Sequence, residues 1–222
     1  MRELFLSICR PSIWVIAILE IVIFCLLFKK YKESKKPMFL CMALITCGLV
    51  IDALVIVNGS ILGGALPLLS RLRFVAHGIL IPLILPICAY ALDAKEGIRK
   101  AVWVLTFVII IAGGAEGFAT VFEKMEIAGV TRLVSSDATP SWAGIITMVL
   151  SFGMVIPMLI TGLIAWIKQK NAGLFFAAFF MFAFSALGPA SGNTDLIFFI
   201  SMFGEVLMVF FFYLYGTKKY GK

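Results

Sequence analysis

The sequence predicts an all-α integral membrane protein, a single bundle of seven transmembrane helices with its N-terminus outside and its C-terminus in the cytoplasm. Three observations carry this. The chain has 222 residues, of which 62% are hydrophobic and 14% charged, whereas soluble domains run nearer half apolar and a quarter charged. The apolar residues gather into seven runs, each close to the ~20 residues that cross ~30 Å of hydrocarbon. The 19 Lys and Arg are divided unequally between the connections, as the positive-inside rule requires of a multi-pass protein of the cell membrane.

The expected spans are residues 11–28, 38–57, 73–92, 100–121, 142–167, 172–190 and 195–215, within one domain covering 1–222. Backbone amides in lipid must be paired within the segment, which makes each run a helix. Before the first span, Arg2 and Arg10 precede an apolar run with no small-residue cleavage site. The run meets Lys29-Lys30-Tyr31-Lys32, the flank of a retained helix and not of a signal peptide. Pro82, Pro86 and Pro157 are expected to kink their helices. Gly113 and Gly117, four apart in the fourth span, form the small-xxx-small pattern of close helix packing. The longest outer connection, 122–141, alternates weakly around Ala128-Gly129 between Met125 and Val134. That pattern fits a small hairpin or a plain loop equally well. The phenylalanines of the last two spans, among them Phe175, Phe176, Phe179, Phe180, Phe198 and Phe199, are read as packing.

Thirteen basic residues lie on one side: Lys29, Lys30, Lys32, Lys35 and Lys36, then Lys95, Arg99 and Lys100, then Lys168 and Lys170, then Lys218, Lys219 and Lys222. Six lie on the other: Arg2, Arg10, Arg71, Arg73, Lys124 and Arg132. The side with thirteen is cytoplasmic. The formal charge of +7 therefore belongs to a membrane surface, and no nucleic-acid partner is expected. None of the five cysteines forms a C-x-x-C pair, and four lie in apolar runs as small hydrophobes.

Ionisable residues inside the spans point to function. A charge at the bilayer centre costs at least ~2.5–3.5 kcal/mol on insertion scales. Glu20 lies mid-span in helix one, Asp52 in the outer part of helix two, His77 one turn into helix three after Arg73, Glu116 in the outer part of helix four, and Glu205 near the middle of helix seven. Because helices alternate in direction, these positions all fall between the midplane and the outer surface. Arg73 and His77, four apart, share a helix face. The expectation is a polar pocket open to the outside, lined by Arg73, His77, Asp52 and Glu116, with Glu20 and Glu205 at its floor. Each acid taken alone also reads as a structural hydrogen-bonding residue.

The segment Arg73-Phe-Val-Ala-His-Gly-Ile-Leu-Ile-Pro82, running on to Asp93-Ala94-Lys95-Glu96-Gly97, resembles the third helix of the microbial rhodopsins. That family places an arginine before the span, a proline nine residues on and an Asp-Ala-x-x-Gly turn after it. Arg10-Pro11-Ser12-Ile13-Trp14 looks like its first helix. The resemblance implies a seven-helix bundle. It does not carry the family's photochemistry, because the last span has no lysine before Lys218 and Glu205 stands at about the retinal-bearing position. Ala76 stands where the family has its acidic counter-ion. The expectation is a retinal-free relative with no cofactor.

Three functions remain open. The first is binding or translocation of a proton, cation or small ligand, by a transporter or receptor, since buried carboxylates suit proton exchange. The second is a lipid-modifying membrane enzyme, with the carboxylates holding a hard divalent cation such as Mg²⁺ and His77 as general acid or base. No H-E-x-x-H, G-x-S-x-G or P-loop is present, and His77 is the only histidine, so the chain leans away from an enzyme. The third is a structural subunit of a membrane complex. The bilayer is the expected partner, and a homo-oligomer is compatible with the chain.

Overall fold

The computed structural model describes residues 2–220, without the side chains of 2–5 and 185–191. Lys222 of the basic tail and the Arg2 side chain therefore lie outside the described residues. The chain is a helical bundle with one hairpin. Its elements are α1 (Arg2–Ser34), α2 (Pro37–Val57), α3 (Leu66–Leu80), α4 (Ile84–Ala91), α5 (Glu96–Ala119), strands β1 (Phe122–Ile127) and β2 (Val130–Ser135), α6 (Ser141–Gln169), α7 (Gly173–Ser191) and α8 (Thr194–Tyr220). Among the described residues, six helical stretches are long and apolar enough to cross a membrane, one of them Gly63–Ala91, which contains both α3 and α4. The described part of α7, Gly173–Phe184, is a shorter apolar helix.

Two spans differ from expectation. The first helix has 33 residues, about 50 Å at 1.5 Å per residue, and carries Pro11 inside it. Its ends run past the apolar window because neither Arg10 nor the lysines interrupt backbone pairing. The third begins at Leu66 and not at 73, with Pro67 in the first turn, where its missing N–H is harmless. Pro82 then divides it: a 3-10 turn over Ile81–Leu83 separates α3 from α4. Proline inside a helix removes a hydrogen bond and crowds the preceding turn. Pro157, by contrast, sits within an unbroken α6.

The helices' two ends are distinct. At one end the 122–135 segment forms an antiparallel hairpin, with Ile127 opposite Val130. Its turn is Ala128-Gly129, with φ of 53° and 73°, the left-handed pair that suits a two-residue connection. The Ala128 amide donates to Asp195 Oδ1 at 2.7 Å, Gly59 abuts the Thr131 carbonyl, and Gly129 faces Leu6. The hairpin thus ties together the start of α1, the segment after α2 and the start of α8.

At the other end Gln169 Nε2 donates to the Ala91 carbonyl at 2.7 Å. Lys219 Nζ reaches Asp93 Oδ2 at 2.7 Å, and Lys218 Nζ donates to the Lys170 carbonyl at 2.6 Å. Lys36 lies over the Tyr220 ring. The basic connections therefore share one end, opposite the hairpin.

Packing follows small residues and rings. Gly78 of α3 and Gly113 of α5 meet backbone to backbone, and Gly117 lies against the Val75 backbone. Phe176 and Phe180 of α7 both pack on Phe211 of α8, with centroids 5.5 Å apart, the first tilted and the second stacked. The outward faces of α5 and α6 stay apolar: Val104, Phe107 and Ile111, then Ile145, Met148, Phe152, Ile156 and Ile160 are all exposed. Water would not tolerate such stripes on an unpartnered surface. Lipid would, and they mark a multi-pass membrane protein.

Candidate functional site

α3 delivers the first two groups of the site. Arg73 lies seven residues into that helix, about 10 Å below its start, so it is deeper than a helix-mouth residue. It is 4% exposed. Its Nη1 pairs with Asp52 Oδ1 of α2 at 3.3 Å, and its Nη2 donates to the Leu133 carbonyl of β2 at 3.1 Å. One turn further on, His77 faces the same way and its ring is open to the interior space.

α5 delivers Glu116, which is buried. Its Oε1 accepts from Thr147 Oγ1 of α6 at 3.0 Å and from Thr120 Oγ1 at 3.2 Å. α8 delivers Glu205, half-buried, whose Oε2 has no hydrogen-bond partner. These side chains converge: Asp52, Arg73, His77, Glu116 and Glu205 line one cavity of about 210 Å³ at the hairpin end.

Glu20, expected at the floor beside Glu205, lines neither this cavity nor its neighbour. α1 packs on α2 and α8, which turns Glu20 into that helix interface. It is fully buried, neither carboxylate oxygen has a hydrogen-bond partner, and it lies within electrostatic reach of Glu205 and Asp52.

Arg132, Thr147 and Ser151 complete its polar lining, beside Phe74 and Leu150. Arg132 comes from β2 and reaches into the bundle, its guanidinium 4.5 Å from the Phe198 ring centroid. Burial, reinforced by nearby Arg73, lowers it to about 10, so it stays charged at neutral pH. Counted only as an outer basic residue, it was invisible as a site residue until the hairpin placed it. Thr147 and Ser151 carried a legible signal: two hydroxyls four apart on one face of an apolar helix.

Arg71, by contrast, turns away from the cavity. Its Nη1 donates to the Gly117, Phe118 and Thr120 carbonyls at 2.9, 3.0 and 2.5 Å. It thereby satisfies the carbonyls that α5 leaves open at its C-terminus.

A second cavity, about 230 Å³, adjoins the first and shares His77, Leu150, Ser151 and Glu205 with it. The rest of its wall is apolar, including Leu49, Ile81, Ile84 and Met208. Among the described residues no three His, Cys, Asp or Glu side chains converge to hold a metal ion. The convergent set is instead two guanidiniums, three carboxylates, an imidazole and hydroxyls around a small space. Such a set can bind charge of either sign and exchange protons. No protein-family model matches the chain, and no curated protein matches it.

Proposed function

We propose that this is a seven-span membrane protein with its N-terminus outside, whose bundle holds an outward-facing polar site that binds or translocates a proton, cation or small ligand. The observation that carries the reading is the convergence of Asp52, Arg73, His77, Glu116 and Glu205 on one cavity. Intramembrane ionisable residues are costly to insert, and their gathering around a space marks a ligand or ion pathway. The orientation rests on the basic connections sharing the end opposite the hairpin. A rhodopsin-like arrangement belongs to the same reading: Arg73 of α3 and Glu205 of α8 line one cavity, without a Schiff-base lysine.

The test is access. Ser151→Cys, made in a background with Cys25 replaced, is expected to react with a charged, membrane-impermeant thiol reagent applied to the hairpin side of oriented membranes. Reaction from neither side, or only from the basic side, sinks the reading. In liposomes, a pH-dependent ion flux that Glu205→Gln reduces at least tenfold is the transport outcome. Ligand binding without flux is the receptor outcome.

A further inference from the structure

The two adjoining cavities differ in chemistry but share a wall. The polar one carries Arg132 and Glu205, which make no ion pair with each other among the described residues. Arg132 Nε and Arg73 Nε lack acceptors, and Glu205 Oε2 lacks a donor. Opposite charges, Arg132 and Glu205, thus line one space without pairing with each other. Glu205 also lines the apolar cavity, with His77, Leu150 and Ser151. A proton or a bare cation would answer only the acidic half. It would leave the Arg132 guanidinium without a counter-ion, since Arg73 already pairs with Asp52, and the apolar cavity unfilled. A simple anion would leave Glu205 unmatched.

Resting on the proposed outward site, we propose that its ligand is a zwitterion with an apolar body. Its anionic group meets Arg132 and Arg73, its cationic group meets Glu205, and its apolar part enters the cavity walled by Leu49, Ile81, Ile84 and Met208. The two spaces together fall within the size range of small-molecule sites, about 300–1,000 Å³. An apolar amino acid arriving from water and a single-chain zwitterionic lipid arriving from the bilayer share this chemistry.

The test compares probes on the purified full-length protein in nanodiscs, read by saturable thermal stabilisation. L-phenylalanine has both charges and the apolar body, 3-phenylpropanoate only the anion, phenethylamine only the cation, and glycine both charges without the body. Lysophosphatidylcholine against lysophosphatidic acid is the lipid arm. Binding of L-phenylalanine at least tenfold tighter than its three analogues supports the proposal with an aqueous source. Tenfold preference for lysophosphatidylcholine supports it with a bilayer source.

Glu205→Gln is then expected to equalise the zwitterion with the matching anion, and Arg132→Gln to equalise L-phenylalanine with phenethylamine. Single-charge analogues binding within threefold of the zwitterions, or no binding by either zwitterion, overturns the proposal. So does an unchanged ranking in the folded variants. The wild-type ranking needs no variant to fold. If Ser151→Cys reacts from the hairpin side while no zwitterion is preferred, only this inference fails and the outward site stands.

Discussion

Arg73 is a buried charge held on two sides. Its nearest compensation is Asp52 at 3.3 Å and the Leu133 carbonyl. Removing one partner of a buried pair leaves the other charge uncompensated, at a cost of about 3–5 kcal/mol. Asp52→Asn is therefore expected to lower the thermal unfolding midpoint of the detergent-purified protein markedly. Asp52→Leu combined with Arg73→Met should recover most of that loss, since apolar residues of similar volume replace buried pairs well. A double variant no more stable than Asp52→Asn would contradict this account of the pair. That Asp52, Arg73 and His77 would face one interior was readable from their spacing and span positions. That Arg73 would bond to a hairpin carbonyl was not, because the third helix starts earlier than its apolar window and sinks Arg73 deeper.

At the level of elements, the α3–α5 crossing depends on absent side chains. A Cβ on Gly113 would strike the Gly78 backbone, whereas one on Gly114 would meet Ile79 at an ordinary 3.6 Å. Gly113→Val is expected to destabilise the protein by about 3 kcal/mol or more, because backbone cannot yield as a side chain can. Gly114→Ala should be neutral or stabilising by about 0.5–1 kcal/mol. Both are measurable by thermal unfolding, and equal effects from the two would refute the close crossing. The hairpin turn offers an opposite case. Ala128 holds φ at 53°, which costs an L-residue roughly 1–2 kcal/mol. Ala128→Gly is expected to raise the unfolding midpoint by one to a few degrees, as about 0.5 kcal/mol would. A lowered midpoint would mean that the Ala128 methyl group contributes more by packing than it loses in backbone strain.

The hairpin also marks the limit of reading elements from sequence. Its alternation was weak enough to fit a loop, and the deciding contacts are remote: Asp195 on the turn amide and Arg73 on the Leu133 carbonyl. Arg132 joins the cavity only because of those contacts. Glu20 shows the converse. Its depth suggested the cavity floor, but the partners of α1 turn it towards a helix interface.

For the whole molecule, the division between a hairpin end and a basic end makes a topological prediction. Asp137→Cys, in the segment after the hairpin, should be labelled by an impermeant thiol reagent added outside intact cells. Lys95→Cys should be labelled only after the membrane is opened. Both positions are exposed, so access and not burial decides the result. The reverse pattern would invert the orientation and the direction in which the cavity opens.

The sequence by itself determined the solvent of this protein and the outline of its bundle. Composition and run length decide whether a segment prefers lipid, and basic residues show which connections share an end, with no knowledge of neighbours required. It also named five of the side chains that line the polar cavity, because a charge in an apolar span is conspicuous whatever surrounds it. Only the tertiary structure decided which charges meet. Helix rotation and pairing are set by packing, by Gly78 against Gly113 and by α1 against α2 and α8. The hairpin's bonds to Asp195 and Arg73 brought Arg132 in, and the packing of α1 turned Glu20 aside. Depth along a helix is written in one dimension, but convergence is a property of three.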